Sequence, residues 1–409
     1  MSSPEVRQAG EGEKGGRAPL LPSALTIPRT VKGLALVSLF NDFASEMVYP
    51  LLPAFVTVTL GGTATSLAAL DGAADLAAAG TKWVSGGLAD RPRWRKPLIV
   101  IGYFSAILIR PLMAASAAAW QVIGFRVVDR IGKGMRTPAR DAMIADATAP
   151  ALRGRAFGFH RAADHFGSIP GALLAWWLLE HAVAVRQVLA WSVLPGVLAG
   201  LVLLVVLRGA SAARAAEPAS AAGERDASGR VFWGPVLALV GLVLLRLPET
   251  LLLLRLQHLG IAVAIIPLVW AGLHVVRSFV SYPGGWLTDH LGPRWTVAAG
   301  GLCFAAGAGL LALPLGPPLA ITFFLGLGTV AGLTESAERA LVARLAPRRT
   351  GRGFGAYHAA TGLAALPAAL MFGAIYQGLG GPAALLASAA GMILATLAWV
   401  AAAPATAGT

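Results

Sequence analysis

Charge is scarce in this chain. Of 409 residues, 13% are Asp, Glu, Lys or Arg and 56% are hydrophobic, with a mean hydropathy of +0.68. That balance excludes an ordinary soluble globule of this size. Cysteine is nearly absent: Cys303 stands alone, which excludes a disulfide framework and any cysteine-rich metal site. No Gly-x4-Gly-Lys-Ser/Thr loop occurs, so the chain has no ATPase of its own. Residues 1–30 lack an apolar segment flanked by a cleavage site and read as a polar, disordered tail rather than a signal peptide.

Glycine and proline are abundant instead, at 49 and 26 residues. They suit close helix packing and kinked or broken membrane helices. A ~30 Å hydrocarbon layer takes about 20 helical residues per crossing, and apolar stretches fall at 33–59, 65–88, 97–117, 119–147, 155–181 and 187–207. They resume at 232–257, 261–286, 295–314, 318–345, 353–378 and 383–403. The expectation is an all-α membrane protein of twelve transmembrane helices in two six-helix bundles, 31–208 and 231–404. A cytoplasmic linker of 209–230 joins them, and 405–409 forms a short tail. Plain hydropathy misses the second and fourth spans, which carry charges.

The net charge of +13 is spread in a way that argues against nucleic acid. Basic residues gather at Arg7 to Lys32, Arg91 to Lys96, Arg153 and Arg155, Arg208 to Arg230, Arg294, and Arg344 to Arg352, whereas 58–64, 114–119, 312–318 and 378–383 contain no Lys or Arg. This alternation follows the positive-inside rule and predicts both termini in the cytoplasm.

The halves repeat. Gly86-Gly87-Leu88-Ala89-Asp90-Arg91 returns about 200 residues later as Gly285-Trp286-Leu287-Thr288-Asp289-His290, with Arg95 and Arg294 following. Leu34-Ala35-Leu36-Val37 returns as Leu237-Ala238-Leu239-Val240, and at that offset Glu46 falls on Glu249. Arg155-Ala156-Phe157-Gly158 returns as Arg352-Gly353-Phe354-Gly355. Duplicated halves with parallel topology are typical of transporters that rock about a central site.

These motifs resemble the major facilitator superfamily of secondary transporters across residues 31–404. Gly86, Leu88, Asp90, Arg91, Arg93 and Arg95 are similar to its loop Gly-x-Leu-Ala-Asp-Arg-x-Gly-Arg-Arg, with Pro92 displacing the second glycine turn. Arg126-Val-Val-Asp129-Arg130-Ile-Gly132 is similar to its fourth-span stretch, Asp129 and Arg130 replacing Gln and Gly. Asp42, Ser45, Glu46, Tyr49 and Pro50, with Arg136 to Ala142, resemble bacterial permeases that include magnetosome-associated members. The resemblance implies a latch between the halves formed by Gly86, Asp90, Arg91, Arg95, Asp289 and Arg294, with Asp90 at a neighbouring helix end. It also links Arg126 to substrate or proton coupling.

An ionisable group at the bilayer centre costs at least ~2.5–3.5 kcal/mol, so each needs a partner or water. Asp42, Glu46 and Tyr49 share a face of the first span, and Asp71 and Asp75 a face of the second. Arg126, Asp129, Arg130, Lys133, Arg136, Arg140 and Asp141 occupy an arc of roughly 140° at 100° per residue. His160, Arg161 and Asp164 follow in the fifth span. Glu249, Arg277 and Tyr357 are inward candidates of the second half. Two readings stand: a polar cavity for proton coupling and substrate, with Glu46 and Asp164 as first choices for the proton, or ion pairs that bind the spans together. Glu335, Glu338 and Arg339 read as a self-neutralising cluster. Glu46, Asp71, Asp75, His160, Asp164 and His165 offer metal-ligand chemistry without supporting spacing, so no metal site or cofactor is assigned.

The function expected is proton-coupled export of a small organic solute by a monomer in the bacterial cytoplasmic (inner) membrane, with lipid, protons and solute as partners and no nucleic acid. The alternatives are transport of an anionic metabolite or of a metal ion or chelate, and, in another class, a non-transporting sensor or scaffold.

Overall fold

The computed structural model describes residues 26–52, 55–62, 64–209, 230–262, 265–346 and 349–402. The expected tails fall outside these apart from 26–30, and so does the expected linker apart from its two ends. Every regular element among the described residues is helical.

Helices α1 (Arg29–Val48), α2 (Ala64–Ala89), α3 (Pro92–Ala114), α4 (Ala119–Asp146), α5 (Arg153–Glu180), α6 (Val185–Trp191) and α7 (Val193–Gly209) form the first half. Helices α8 (Arg230–Leu244), α9 (Glu249–His258), α10 (Ile266–Leu291), α11 (Pro293–Leu311), α12 (Pro317–Gly326), α13 (Gly328–Leu345), α14 (Thr350–Leu379) and α15 (Gly381–Ala402) form the second. Paired as α6–α7, α8–α9 and α12–α13, they make twelve helical stretches at the expected places. Six of these are long and apolar enough to cross a membrane by composition alone. The charged α2 and α4 are not among them.

Sequence chemistry sets the ends. Pro92 and Pro293 open α3 and α11 at positions where a missing N–H costs nothing. Gly292 and Gly380 hold φ of 83° and 88° between tightly joined helices, a conformation that favours glycine. The first span is shorter than expected, because α1 stops at Val48 and a 3-10 turn over Tyr49–Leu51 follows at Pro50. The seventh span breaks between Leu244 and Glu249. Ser388 on α15 satisfies the freed backbone there: its Oγ accepts from Leu247 N at 2.9 Å and donates to Leu245 O at 2.8 Å. A broken helix is tolerated at membrane depth when a neighbour supplies such partners.

The largest apolar core joins the halves, running from Val31, Ala142 and Phe157 to Val236, Val342 and Phe354. Phe157 and Phe354, equivalent members of the repeat, meet edge to face at 5.7 Å. The internal repeat is thus also a contact across the pseudo-twofold axis. Leu76, Trp120, Phe279 and Leu397 are large apolar side chains left exposed, which suits contact with lipid.

Candidate functional site

The two repeated loops make reciprocal contacts across the halves. Asp90, between α2 and α3, accepts a hydrogen bond of 3.0 Å from the Arg352 backbone amide in the first turn of α14. Asp289, near the end of α10, accepts from the Gly154 and Arg155 amides in the first turn of α5 at 2.8 and 3.0 Å, and from Arg155 Nε at 3.0 Å. A carboxylate at a helix N-terminus meets unsatisfied N–H groups and the positive end of the helix dipole. Burial pushes the Asp90 carboxyl above its usual range, opposed by the Arg352 amide and Arg95.

Gly86 lets the helices approach: a Cβ there would lie 2.6 Å from Gly355 Cα and 2.7 Å from Gly351 O. Arg95 stays in its own half, donating to Ala89 O at 2.7 Å and pairing with Asp146 at 2.5 Å. Arg91 is exposed. Arg294 lies over the neighbouring Trp295 ring at 5.3 Å, within its own half.

The α4 column divides into a paired and an unpaired part. Asp129 lies 3.4 Å from Arg126 and 3.6 Å from Arg110, all three buried. Arg110, on α3, also donates to Asn41 O and Oδ1 at 3.0 and 3.1 Å. The sequence reading missed Arg110 because it sits alone in an apolar run. Tyr49 carries the Arg126 guanidinium over its ring at 5.0 Å. Arg136 donates to Gly102 O at 2.9 Å and stacks over Tyr103, and Arg140 pairs with Asp141 at 2.9 Å. These residues tie α3, α4 and α1 together.

Lys133 differs. It is exposed, although it lies on the arc of the buried Arg126 and Arg140 and opposite the outward-facing Val128 and Ile131. At about 100° per residue, its face points into the bundle, so its exposure marks an opening inside the molecule. Asp42, Glu46 and Arg130 on the same interior surface are half-buried. Among the described residues, neither Glu46, Lys82, Arg130 nor Lys133 belongs to an ion pair. Asp42 accepts from Asn41 Nδ2 at 2.8 Å. The charges acting on Glu46 are those of Asp42, Lys133, Arg130 and Arg126. Asp75 is exposed, and the Asp71 side chain lies outside the described residues.

A third group bridges the halves. Arg161 pairs with Glu335 on α13 and, at 2.6 Å, with Asp164. His160 accompanies Asp164 at 3.6 Å and Ser38 at 3.0 Å. Buried Asp141 meets His358 on α14 at 2.8 Å and Arg339 at 3.5 Å. Glu335 is therefore neutralised from the other half and not by its own helix alone, while Glu338 accepts from Tyr357. Arg277 pairs with Glu249 inside the second half. The bridges between the two halves lie in the parts of their helices nearest the basic loops, where Gly86 meets Gly355. The bundles are shut at that end. Among the described residues, no group of three or more His, Cys, Asp or Glu is placed to hold a metal ion.

The family profile described as Major Facilitator Superfamily matches residues 34–273. An uncharacterized MFS-type transporter of Methanocaldococcus jannaschii is 32% identical over 149 residues, which are 36% of this chain and 37% of that relative's length. An uncharacterized protein of Mycobacterium tuberculosis H37Rv is 26% identical over 368 residues, 87% of this chain and 88% of its own. The multidrug resistance protein MdtH of Cronobacter sakazakii is 29% identical over 135 residues, 33% of each chain. Among solved structures, the human organic anion transporter MFSD10 superposes with a TM-score of 0.72 at 16% identity, covering 91% of this chain and 99% of its own. The proton:xylose symporter XylE gives 0.72 at 14% identity, covering 90% and 94%. At these identities the two structures speak for the fold.

Proposed function

The chain belongs to the major facilitator superfamily, which makes it a multi-pass membrane transporter and not an enzyme, and we propose that it exports a small organic solute in exchange for protons. Alternating access moves the solute: the halves 31–208 and 231–404 rock about the interior surface of α1, α2 and α4. The basic loops and both termini face the cytoplasm. The arrangement described is then the outward-open one, closed at the cytoplasmic end by the two latches and the Arg161–Glu335 and Asp141–His358 bridges. The monomer is the working unit.

One observation carries the proton assignment. Glu46 stands half-buried on the interior surface with no hydrogen bond or ion pair among the described residues, whereas Asp164 is already held by Arg161 and His160. A carboxyl without a fixed partner can gain and lose a proton at low structural cost, and its loading shifts the balance between inward- and outward-open states. Asp164 and Asp141 serve the gate instead. The proton:xylose symporter XylE is consistent with coupling to protons, and the multidrug resistance protein MdtH with export.

A second reading is favoured by Lys82, Arg130 and Lys133, which act on one another electrostatically without ion pairs. Three cations around one opening, none in an ion pair among the described residues, suit a solute carrying negative charge.

The test begins with a thermal-shift panel of carboxylates and amphipathic drugs on the purified protein, and the solute so found is followed in proteoliposomes. Glu46→Gln is expected to abolish transport driven by a pH gradient while solute exchange continues. Undiminished gradient-driven accumulation removes the proton role, and lack of flux for any solute under any gradient removes the transporter reading in favour of a sensor or scaffold.

A further inference from the structure

At the cytoplasmic edge of the latch a cavity of about 660 Å³ opens between the halves. α14 packs against both α2 and α8, so it forms the floor between them. The walls meet at Trp83 of α2 and Trp233 of α8, whose rings stack at 6.4 Å. Arg91 enters from the first half, and Arg349 and Arg352 enter from the second. All three arginines are exposed. The α2 wall continues toward the membrane centre as an open apolar face: Val84 and Leu76 are 63% and 66% exposed, and a Cβ at Gly80 or Gly87 would meet nothing within 4 Å.

We infer that this cavity binds an anionic phospholipid of the cytoplasmic leaflet, with its phosphate among Arg91, Arg349 and Arg352 and an acyl chain along the α2 face. The chemistry is complementary at both ends. Guanidinium groups make charge-assisted hydrogen bonds to phosphate. Tryptophans at this depth sit where headgroup and hydrocarbon meet, and a smooth glycine-rich face accepts a chain. A zwitterionic lipid brings a compensating ammonium into a basic site and fits less well.

The placement has a consequence for the cycle, which rests on the latch reading above. Arg91 and Arg352 belong to opposite halves and flank the Asp90–Arg352 contact. A lipid bound to both is a strap present only while the cytoplasmic end is shut. A ligand that binds one state shifts the equilibrium toward it, so anionic lipid is expected to favour the outward-open state.

Binding is tested separately from transport. Full-length protein is placed in phosphatidylcholine nanodiscs with and without about one fifth phosphatidylglycerol. Phosphatidylglycerol is expected to raise Tm by about 3 °C, the order set by ligand linkage in a chain of this size. The Arg91→Gln/Arg349→Gln/Arg352→Gln variant loses that rise. It keeps the latch, because Arg352 donates through its backbone. A charge-matched variant at exposed sites elsewhere, Arg29→Gln/Arg93→Gln/Arg208→Gln, retains it. Equal loss in both variants makes the effect a general surface-charge one and overturns the site. A shift reproduced by inorganic phosphate or glycerol 3-phosphate alone overturns the lipid in favour of a soluble anion. If the triple variant does not fold, native mass spectrometry of the wild-type protein decides: one retained phosphatidylglycerol in preference to phosphatidylcholine supports the site, and equal retention overturns it.

Discussion

Removing the Asp289 carboxylate is expected to open the shut end of the bundles far more than removing that of Asp90, although the two occupy equivalent places in the repeat. Asp289 accepts two backbone bonds of 2.8 and 3.0 Å and a charged one of 3.0 Å from Arg155. Asp90 accepts one of 3.0 Å from Arg352, with the Gly351 amide close by, and no guanidinium bonds to it among the described residues. A hydrogen bond contributes roughly 0.5–1.5 kcal/mol net, and more when a charge takes part. Asp289→Ala should then weaken the shut state by about 3 kcal/mol and Asp90→Ala by about 1 kcal/mol. At 1.4 kcal/mol per factor of ten, the shut-to-open ratio falls on the order of 100-fold in the first and about 5-fold in the second. Spin labels on cysteines replacing the exposed Arg93 and Trp295, with Cys303→Ser, report the separation of the two loops by pulsed electron resonance. A new long-distance population that dominates in Asp289→Ala and is minor in Asp90→Ala supports the account. Equal populations, or a larger one in Asp90→Ala, refute the reasoning from bond inventory to latch strength.

Other substitutions probe the remaining parts. Arg110→Met strips Asp129 of one of two buried partners and should destabilise the fold by about 3–5 kcal/mol, seen as a fall in Tm; an unchanged Tm denies its structural role. Gly86→Val places methyl groups against Gly355 and Gly351, so transport should fall at least about tenfold by loss of the shut state. Gly80→Ala, facing open space, should transport normally. Arg161→Leu and Glu335→Leu should couple by about 0.5–3 kcal/mol in a double-mutant cycle on Tm, and simple additivity removes the bridge as a gate.

Much of the fold was legible because its signals are local. Long apolar stretches and the alternation of basic with uncharged loops placed all twelve helical stretches. The contacts of Gly86 and Asp90 with the other half were legible because a topological anchor needs arginine but explains neither residue, whereas Arg95 and Arg294 of the same expected latch contact only their own halves. Broken helices were hidden: the gap before Glu249 is supported by Ser388, about 140 residues away. Pairing was hidden for the same reason. Asp164 shows its partners in its spacing, Arg161 and His160 a turn away on its own helix, but Asp129–Arg110 and Asp141–His358 join residues of different helices. Glu335 looks self-neutralised until α5 brings Arg161 to it. Partners set by tertiary packing leave no trace in spacing.

Accessibility of position 133 tests the central claim most directly. Lys133→Cys in a Cys303→Ser background is exposed to a membrane-impermeant thiol reagent from each side of oriented vesicles. Labelling from the outside, with none from the cytoplasmic side until Asp289→Ala is added, is the predicted result. Labelling from neither side, or equally from both in the intact latch, would contradict a water-filled opening gated at the cytoplasmic end.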